Sequence, residues 1–252
     1  MIGALSAVDK RASSILGRTS PLTKLAIAIL WLLGMATTTR HVAPIVITAC
    51  ALGAGLVIGR IRPGDLGRAL TPLWLVAGVV ILSNIVLGAA NTEPLATELI
   101  RLGPLRVTAE AVSAATALGL RVVSIASVGA VFALTTEPTR LVDALVQQAR
   151  VPERFAYGAL AAYQSIPRFA DDLTTLRQAR RIRGLPGGWH PRLLIGLLVL
   201  AIRQGDRVAL SMDARAFGSG PRSRYRIVRW GVLDAVVALA AAGILGIALS
   251  LR

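Results

Sequence analysis

The sequence predicts an all-α membrane protein, with about five transmembrane helices and a helical cytoplasmic segment between the fourth and fifth spans. Three observations carry this. Of 252 residues, 54% are hydrophobic and 16% are charged, where a soluble domain carries about 25% charged residues, and mean hydropathy is +0.65. The apolar residues gather in runs of about 20, the length a helix needs to cross a hydrocarbon core about 30 Å thick. Charge is unevenly placed as well. Fifteen arginines fall between Thr136 and Val228, where the longest uncharged apolar run, Leu193 to Ile202, is too short to span.

The spans follow in order. The first covers about Leu22 to Thr39 and the second about Val42 to Gly59, separated only by Arg40 and His41, so they form a tight hairpin. The third covers Thr71 to Ala90, the fourth Ala111 to Thr135 and the last Trp230 to Leu251. Lys10, Arg11, Arg18 and Lys24 precede the first span, and Arg60, Arg62 and Arg68 follow the second. Between the third and fourth spans, Glu93 and Glu98 balance Arg101 and Arg106. Basic loops stay on the cytoplasmic side. This places the amino terminus in the cytoplasm of a bacterial inner membrane, and five spans put the carboxyl terminus outside. The organisation is then residues 1–135 as membrane helices, 136–228 as the cytoplasmic insert, and 229–252 as the last membrane helix.

Several function classes are excluded. Basic residues outnumber acidic ones 28 to 13, for a net charge of +15. In so apolar a chain the positive-inside bias accounts for this better than nucleic acid does. Nucleic-acid binding would also call for interleaved aromatics, and Tyr157, Tyr163 and Phe169 read as core. Cys50 is the only cysteine, so no disulfide forms within the chain. His41 and His190 lack metal-ligand spacing. Neither Lys10 nor Lys24 follows a phosphate-binding glycine loop, and no Gly-x-Ser-x-Gly elbow occurs. The chain is expected to be non-catalytic and to need no cofactor.

The insert has clear helix punctuation. Pro138 opens a short helix. Pro152 closes it and begins a longer one that reaches about Arg183, with Pro167 expected to kink it. Gly184 to Gly188 end that helix, and a third runs from Pro191 to Phe217 before Gly218, Gly220 and Pro221. At about 100° per residue, Phe169, Leu173, Leu176, Arg180 and Arg183 fall on one line. Leu194, Ala201, Gly205, Val208, Met212 and Arg215 share a face of the next helix. Each apolar stripe thus ends on an arginine. A guanidinium at a helix C-terminus suits the dipole. Beside apolar surface, it also suits an acidic pocket on a partner.

At this point the sequence resembles a family. Thr135-Thr136-Glu137-Pro138, Val151-Pro152-Glu153-Arg154, Ile166-Pro167-Arg168-Phe169, Arg180-Arg181-Ile182-Arg183-Gly184 and Ser211-Met212-Asp213-Ala214-Arg215-Ala216-Phe217-Gly218 look like the transmembrane T component of energy-coupling-factor (ECF) transporters. Ser20-Pro21-Leu22-Thr23-Lys24-Leu25 is similar to the start of that family. Its two Ala-Arg-Gly motifs are altered here, Ile182 replacing the first alanine and Ala216 the second glycine, while Arg183 and Arg215 remain. Alanine resists positive φ, so the backbone at Ala216 is where a departure is expected.

The resemblance implies an assembly. The T component would lay its coupling helices into grooves of two ABC-type ATPases and hold a small substrate-binding S component in the bilayer. ATP-driven closing of the ATPases would drive uptake of a vitamin or a transition-metal ion. The docking residues it implies are Arg180, Arg183, Gly184, Ala214, Arg215 and Gly218.

Within the fourth span, Arg121 is an intramembrane charge, expected as a structural or S-component contact. Asp234 is expected to be structural, near the headgroups or beside an arginine of the insert. Asn84 is expected to bond across helices, and Gly53 and Gly55 to mark close packing. The competing readings are a self-contained secondary transporter, another integral membrane scaffold or a membrane-embedded enzyme. The first needs ionisable groups at the membrane centre, which only Arg121 approaches. The enzyme needs clustered His, Asp or Glu, which the sequence does not show.

Overall fold

The computed structural model describes residues 15–37, 41–92, 97–102, 105–186, 188–220, 224 and 226–250. Lys10, Arg11, Arg40, Glu93 and Pro221, used above, lie outside them. Among the described residues, the α-helices of ten residues or more are α1 (Pro21–Ala36), α2 (Val42–Gly53), α3 (Pro63–Leu87), α4 (Ala109–Thr135), α5 (Pro138–Gln147), α6 (Glu153–Ile182), α7 (Pro191–Ala214) and α8 (Val232–Ser250). The chain divides into two compact units, residues 1–137 with 229–252, and residues 138–228.

The first unit holds the apolar helices, and the protein is an all-α membrane protein. Among the described residues, three helices are long and apolar enough to cross a bilayer: α3 (25 residues), α4 (27) and α8 (19), with mean hydropathies of 2.2, 2.0 and 2.4 over an 18-residue stretch of each. Two are shorter, α1 and the stretch Val42–Ile58. The last turn of that stretch, Ala54–Ile58, is a π-turn, in which the Gly59 N–H donates to Ala54 O at 2.8 Å. One boundary differs from expectation. Helix α3 begins at Pro63, with Asp65 in its first turn, and runs on through Pro72. Hydropathy marks where lipid begins and not where the helix begins, so the charged first two turns escaped it. The stretch expected as a loop before α4 also holds a two-stranded antiparallel hairpin, β1 (Glu98–Leu102) and β2 (Leu105–Thr108). In that hairpin Arg106 Nε lies 2.7 Å from Glu98 Oε1.

Packing explains why these helices associate. Trp31 and Met35 of α1, Ile47 and Ala51 of α2, and Ala241 and Leu245 of α8 form one buried cluster, and the Trp31 indole donates to Ala241 O at 2.9 Å. A second cluster joins Leu66 and Leu70 of α3 to Ala130 and Val131 of α4. Glycine sets the closest approaches, as small residues do where helices pack in lipid. A Cβ on Gly34 would come within 2.6 Å of Leu245 Cδ1, one on Gly55 within 2.9 Å of Val131 Cγ2, and one on Gly119 would overlap the Ile81 side chain. Gly53, by contrast, faces open space. Outward positions such as Leu75, Val79, Leu82 and Leu239 are exposed apolar residues, as lipid-facing surface requires. Asn84 bonds within its own helix, donating to Val80 O at 2.9 Å, and not across helices.

In the second unit, α6 (30 residues) runs unbroken through Pro167, and α7 has 24 residues. They pair antiparallel. Gly196 near the start of α7 packs on Leu176 late in α6, while Gly218 just beyond α7 packs on Arg154 at the start of α6. The stripe Phe169, Leu173, Leu176 and Arg180 is half-buried, with Leu176 against α7. The α7 stripe needs correcting. Leu193 is buried and Ala201, Val208 and Met212 are half-buried, but Leu194 is exposed on the other side with Ile195, Leu198, Val199 and Ile202. The apolar run of α7 therefore serves two faces, one packed within this unit and one uncovered.

Candidate functional site

The two arginine motifs occupy equivalent places on their helices. In each, the arginine is the C-cap residue: Arg183 after Ile182 of α6 and Arg215 after Ala214 of α7. Both helices stop in the same way. On α6 the Leu185 N–H donates to Arg180 O at 3.0 Å and the Gly184 N–H to Arg181 O at 3.0 Å. On α7 the Phe217 N–H donates to Met212 O at 3.0 Å and the Ala216 N–H to Asp213 O at 2.8 Å. This pair of bonds satisfies carbonyls that the helix end would otherwise orphan, and it requires the residue after the cap to turn left-handed. Gly184 does so at φ +71°, and Ala216 does so at φ +52°. The third residue of the Ala-Arg-Gly motif is thus the left-handed stop, and alanine holds it here against its own preference. Gly218 is also left-handed, at φ +81°.

Arg183, Gly184, Ala214, Arg215 and Gly218 are exposed, while Arg180 is half-buried. The Nε of Arg180 is buried and makes no hydrogen bond. Because α6 and α7 run antiparallel, the motifs are not brought together. They lie at opposite ends of the helix pair, separated by roughly the length of α7, about 36 Å at 1.5 Å per residue.

The second motif is braced by residues whose part in it was not foreseen. Arg154, from Val151-Pro152-Glu153-Arg154, reaches over the stop. Its Nη2 donates to Gly218 O at 3.4 Å, and its Nε lies 2.5 Å from where a Cβ on Gly218 would sit. Tyr157, one turn on, meets Phe217 edge-to-face at 6.1 Å between centroids and donates to Asp143 Oδ1 of α5 at 2.8 Å. Burial, and then that bond to the carboxylate, push the Tyr157 phenol up to about 12. The side chain of Gln147, at the end of α5, donates to Arg226 O and accepts from the Val228 N–H, at 2.8 and 2.9 Å. The sequence signal was the placement of Arg154 and Tyr157 on one face of α6, three residues apart.

The remaining candidates behave differently. Arg121 is half-buried within α4. Asp234 is buried and binds backbone. Its Oδ1 accepts from the Ser20 N–H at 2.6 Å and its Oδ2 from the Gly231 N–H at 2.8 Å. Lys24, counted above only as a loop charge, is buried and donates to Thr135 O at 2.9 Å. Among the described residues, no three His, Cys, Asp or Glu side chains gather as a metal-binding group.

The family model for CbiQ, a cobalt transport protein, matches residues 12–227. An energy-coupling factor transporter transmembrane protein EcfT of Listeria innocua is 28% identical over 174 residues, which cover 62% of this chain and 65% of that protein. The EcfT of Streptococcus equi is 28% identical over 166 residues, covering 59% of this chain and 61% of that protein. The chain thus spans somewhat less than two thirds of the length of these relatives. An ABC transporter ATP-binding protein of Bifidobacterium longum is 25% identical over 249 residues, 91% of this chain but 31% of that protein. With a match across most of its length, the chain belongs to the CbiQ cobalt transport protein family, that of the transmembrane T components of energy-coupling factor transporters.

Proposed function

We propose that this chain is the coupling subunit of an ECF-type ABC importer in a bacterial cell membrane. Two ABC-type ATPases dock on residues 138–228, which lie in the cytoplasm with the amino terminus. A small S component binds substrate, a vitamin or a transition-metal ion, and reorients when ATPase closure moves α6 and α7. This chain hydrolyses no ATP itself.

The observation that supports this best is the duplicated cap. The same left-handed stop carries a C-cap arginine at both ends of an antiparallel pair. Each cap sets a guanidinium on the end of an apolar stripe, where a carboxylate pocket on an ATPase can take it bidentately. The spacing gives each ATPase one arginine. The relative from Bifidobacterium longum adds support, since a stretch like this chain forms a third of a protein described as ATP-binding. The uncovered face of α7, from Leu194 to Ile202, leaves apolar surface for the S component. Arg121 is assigned to the same partner or to helix packing.

Reversing both arginines, Arg183→Glu and Arg215→Glu together, tests the docking. Each charge-assisted contact contributes about 1.5–3 kcal/mol, so the double variant is expected to lose ATPase on purification from native membranes, measured by mass spectrometry. Unchanged recovery of ATPase with the double variant would refute the docking role.

A further inference from the structure

Within the membrane unit, α1, α2, α4 and α8 surround a cavity of about 300 Å³. Its walls run from Lys24 to Trp31 on α1, from Val128 to Thr135 on α4, and from Val237 to Ile244 on α8. Each run is about two turns, or about 10 Å of helix. The cavity is therefore a slot lying along the helices, and not a rounded hole. The π-turn shapes another wall, since its first and last residues, Ala54 and Ile58, both line the slot. Such turns interrupt helices frequently at functional sites.

The slot suits hydrocarbon and not water. Its polar wall groups are already bonded to protein: the Lys24 ammonium donates to Thr135 O, the Thr135 hydroxyl to Val131 O and the Trp31 indole to Ala241 O. A buried water needs about two to four polar partners, whereas an apolar cavity of roughly 150 Å³ already takes benzene. One edge of the slot is open. Ile58 and Val236 line it and are 38% and 55% exposed, so it reaches the surface of the unit. Val57 and Leu239 nearby in sequence are exposed apolar residues too, and the bilayer is the solvent of such a surface.

One end of the slot is basic. Arg18 lies two residues past the wall residue Leu16, and Arg60 two past Ile58. Both are exposed, as is Arg62. Leu16 and Ile61 share one buried cluster, which brings the two segments together. They meet at the Thr135 end, where a Cβ on Gly59 would come within 3.1 Å of Thr135 Cγ2. Arg60 itself is left-handed, at φ +48°, a conformation that a long side chain rarely adopts.

We propose that the slot holds one acyl chain of an anionic phospholipid, whose phosphate is met by Arg18, Arg60 and Arg62. The length and apolar walls select a chain, the open edge admits it from the bilayer, and guanidinium groups match a phosphate bidentately. The site needs only the membrane helices and stands whether or not ATPases dock on residues 138–228.

The experiment places the full chain in nanodiscs holding equal amounts of phosphatidylglycerol and phosphatidylcholine, then counts retained lipid by native mass spectrometry. One phosphatidylglycerol per chain is expected to survive release. Ala28→Phe puts a ring into the slot from the wall between Lys24 and Trp31, and should abolish retention with helix content unchanged. Arg18→Gln with Arg60→Asn leaves the slot intact, asparagine tolerating the left-handed backbone. This pair should cut the preference for phosphatidylglycerol about fivefold per arginine. Equal retention by the parent and a folded Ala28→Phe would show ordinary surrounding lipid and overturn the site. No retained lipid, or phosphatidylcholine held as readily, would overturn it as well. If Ala28→Phe does not fold, Cys50 answers instead, being half-buried in the same wall. Added phosphatidylglycerol should slow its alkylation by N-ethylmaleimide in detergent for the parent, and less for the arginine pair; an unchanged rate in the parent would refute occupancy.

Discussion

The left-handed Ala216 offers a sharp test, because its twin on α6 is a glycine in the same cap. An L-residue with a Cβ in the left-handed region costs roughly 1–2 kcal/mol. Replacing Ala216 by glycine removes that cost but frees the unfolded chain, which returns about 0.4–1 kcal/mol. The net expected gain is about 0.5–1 kcal/mol for Ala216→Gly, with Gly184→Ala, at φ +71°, losing a similar amount. The gain should be local. The Phe217 N–H is held by Met212 O and the Leu185 N–H by Arg180 O, so amide exchange at these two positions reports the two caps separately. Ala216→Gly is expected to slow Phe217 exchange about two- to fivefold and leave Leu185 alone, and Gly184→Ala should speed Leu185 and leave Phe217 alone. Assembly with partners should survive Ala216→Gly, because the arginine keeps its place. If Phe217 exchanges as fast or faster in Ala216→Gly, alanine is not strained there, and the cap reasoning fails.

Two further predictions concern packing and ionisation. Gly119→Ala should lower the thermal unfolding midpoint in detergent, since its Cβ would overlap Ile81 and overpacking costs about 1–3 kcal/mol; Gly129→Ala in the same helix, with open space around it, should leave the midpoint unchanged or raise it, and equal effects would show that α3 and α4 do not approach there. Tyr157 should ionise near 12 against an ordinary 10.0. Because its folded pKa is raised, the stability it contributes is whole below pH 10 and lost as pH rises through 12. The difference in phenolate absorbance between the parent and Tyr157→Phe checks this, and a difference that titrates near 10 would contradict the half-buried Asp143 bond.

The five apolar helices were legible because lipid imposes a compositional rule that a window of sequence can detect. The limits of the method show at particular residues. Asp65 and Arg68 hid the first turns of α3, since a helix outside the lipid carries charges freely. The hairpin before α4 was signalled by Gly103-Pro104 between two short strands, but four- and five-residue strands give too few alternations to count. Both arginine motifs and the glycine stop after Arg183 could be read directly. The second stop could not, because the sequence offers Gly218 and Gly220 as terminators, while the left-handed turn comes two residues earlier, at an alanine. The brace of Arg154 and Tyr157 and the ties of Lys24 and Asp234 depend on segments distant in sequence. A single charge in a loop or a first turn looks the same whether it faces water or caps another helix.

The antiparallel pairing of α6 and α7 has a consequence for symmetry. Two helices that run opposite ways and end alike are related, locally, by a two-fold axis perpendicular to them. One asymmetric polypeptide thereby displays two nearly equivalent ends, Arg183 with its glycine stop and Arg215 with its alanine stop. On the proposed reading, a two-fold pair of identical ATPases could engage a single copy of this chain without either partner meeting a foreign surface. Two different ATPases would instead exploit the places where the ends differ: Ile182 against Ala214 before the arginine, Gly184 against Ala216 after it, and the Arg154 and Tyr157 brace on the second end. Of these the single Cβ at position 216 is the smallest mark by which the assembly tells its two halves apart.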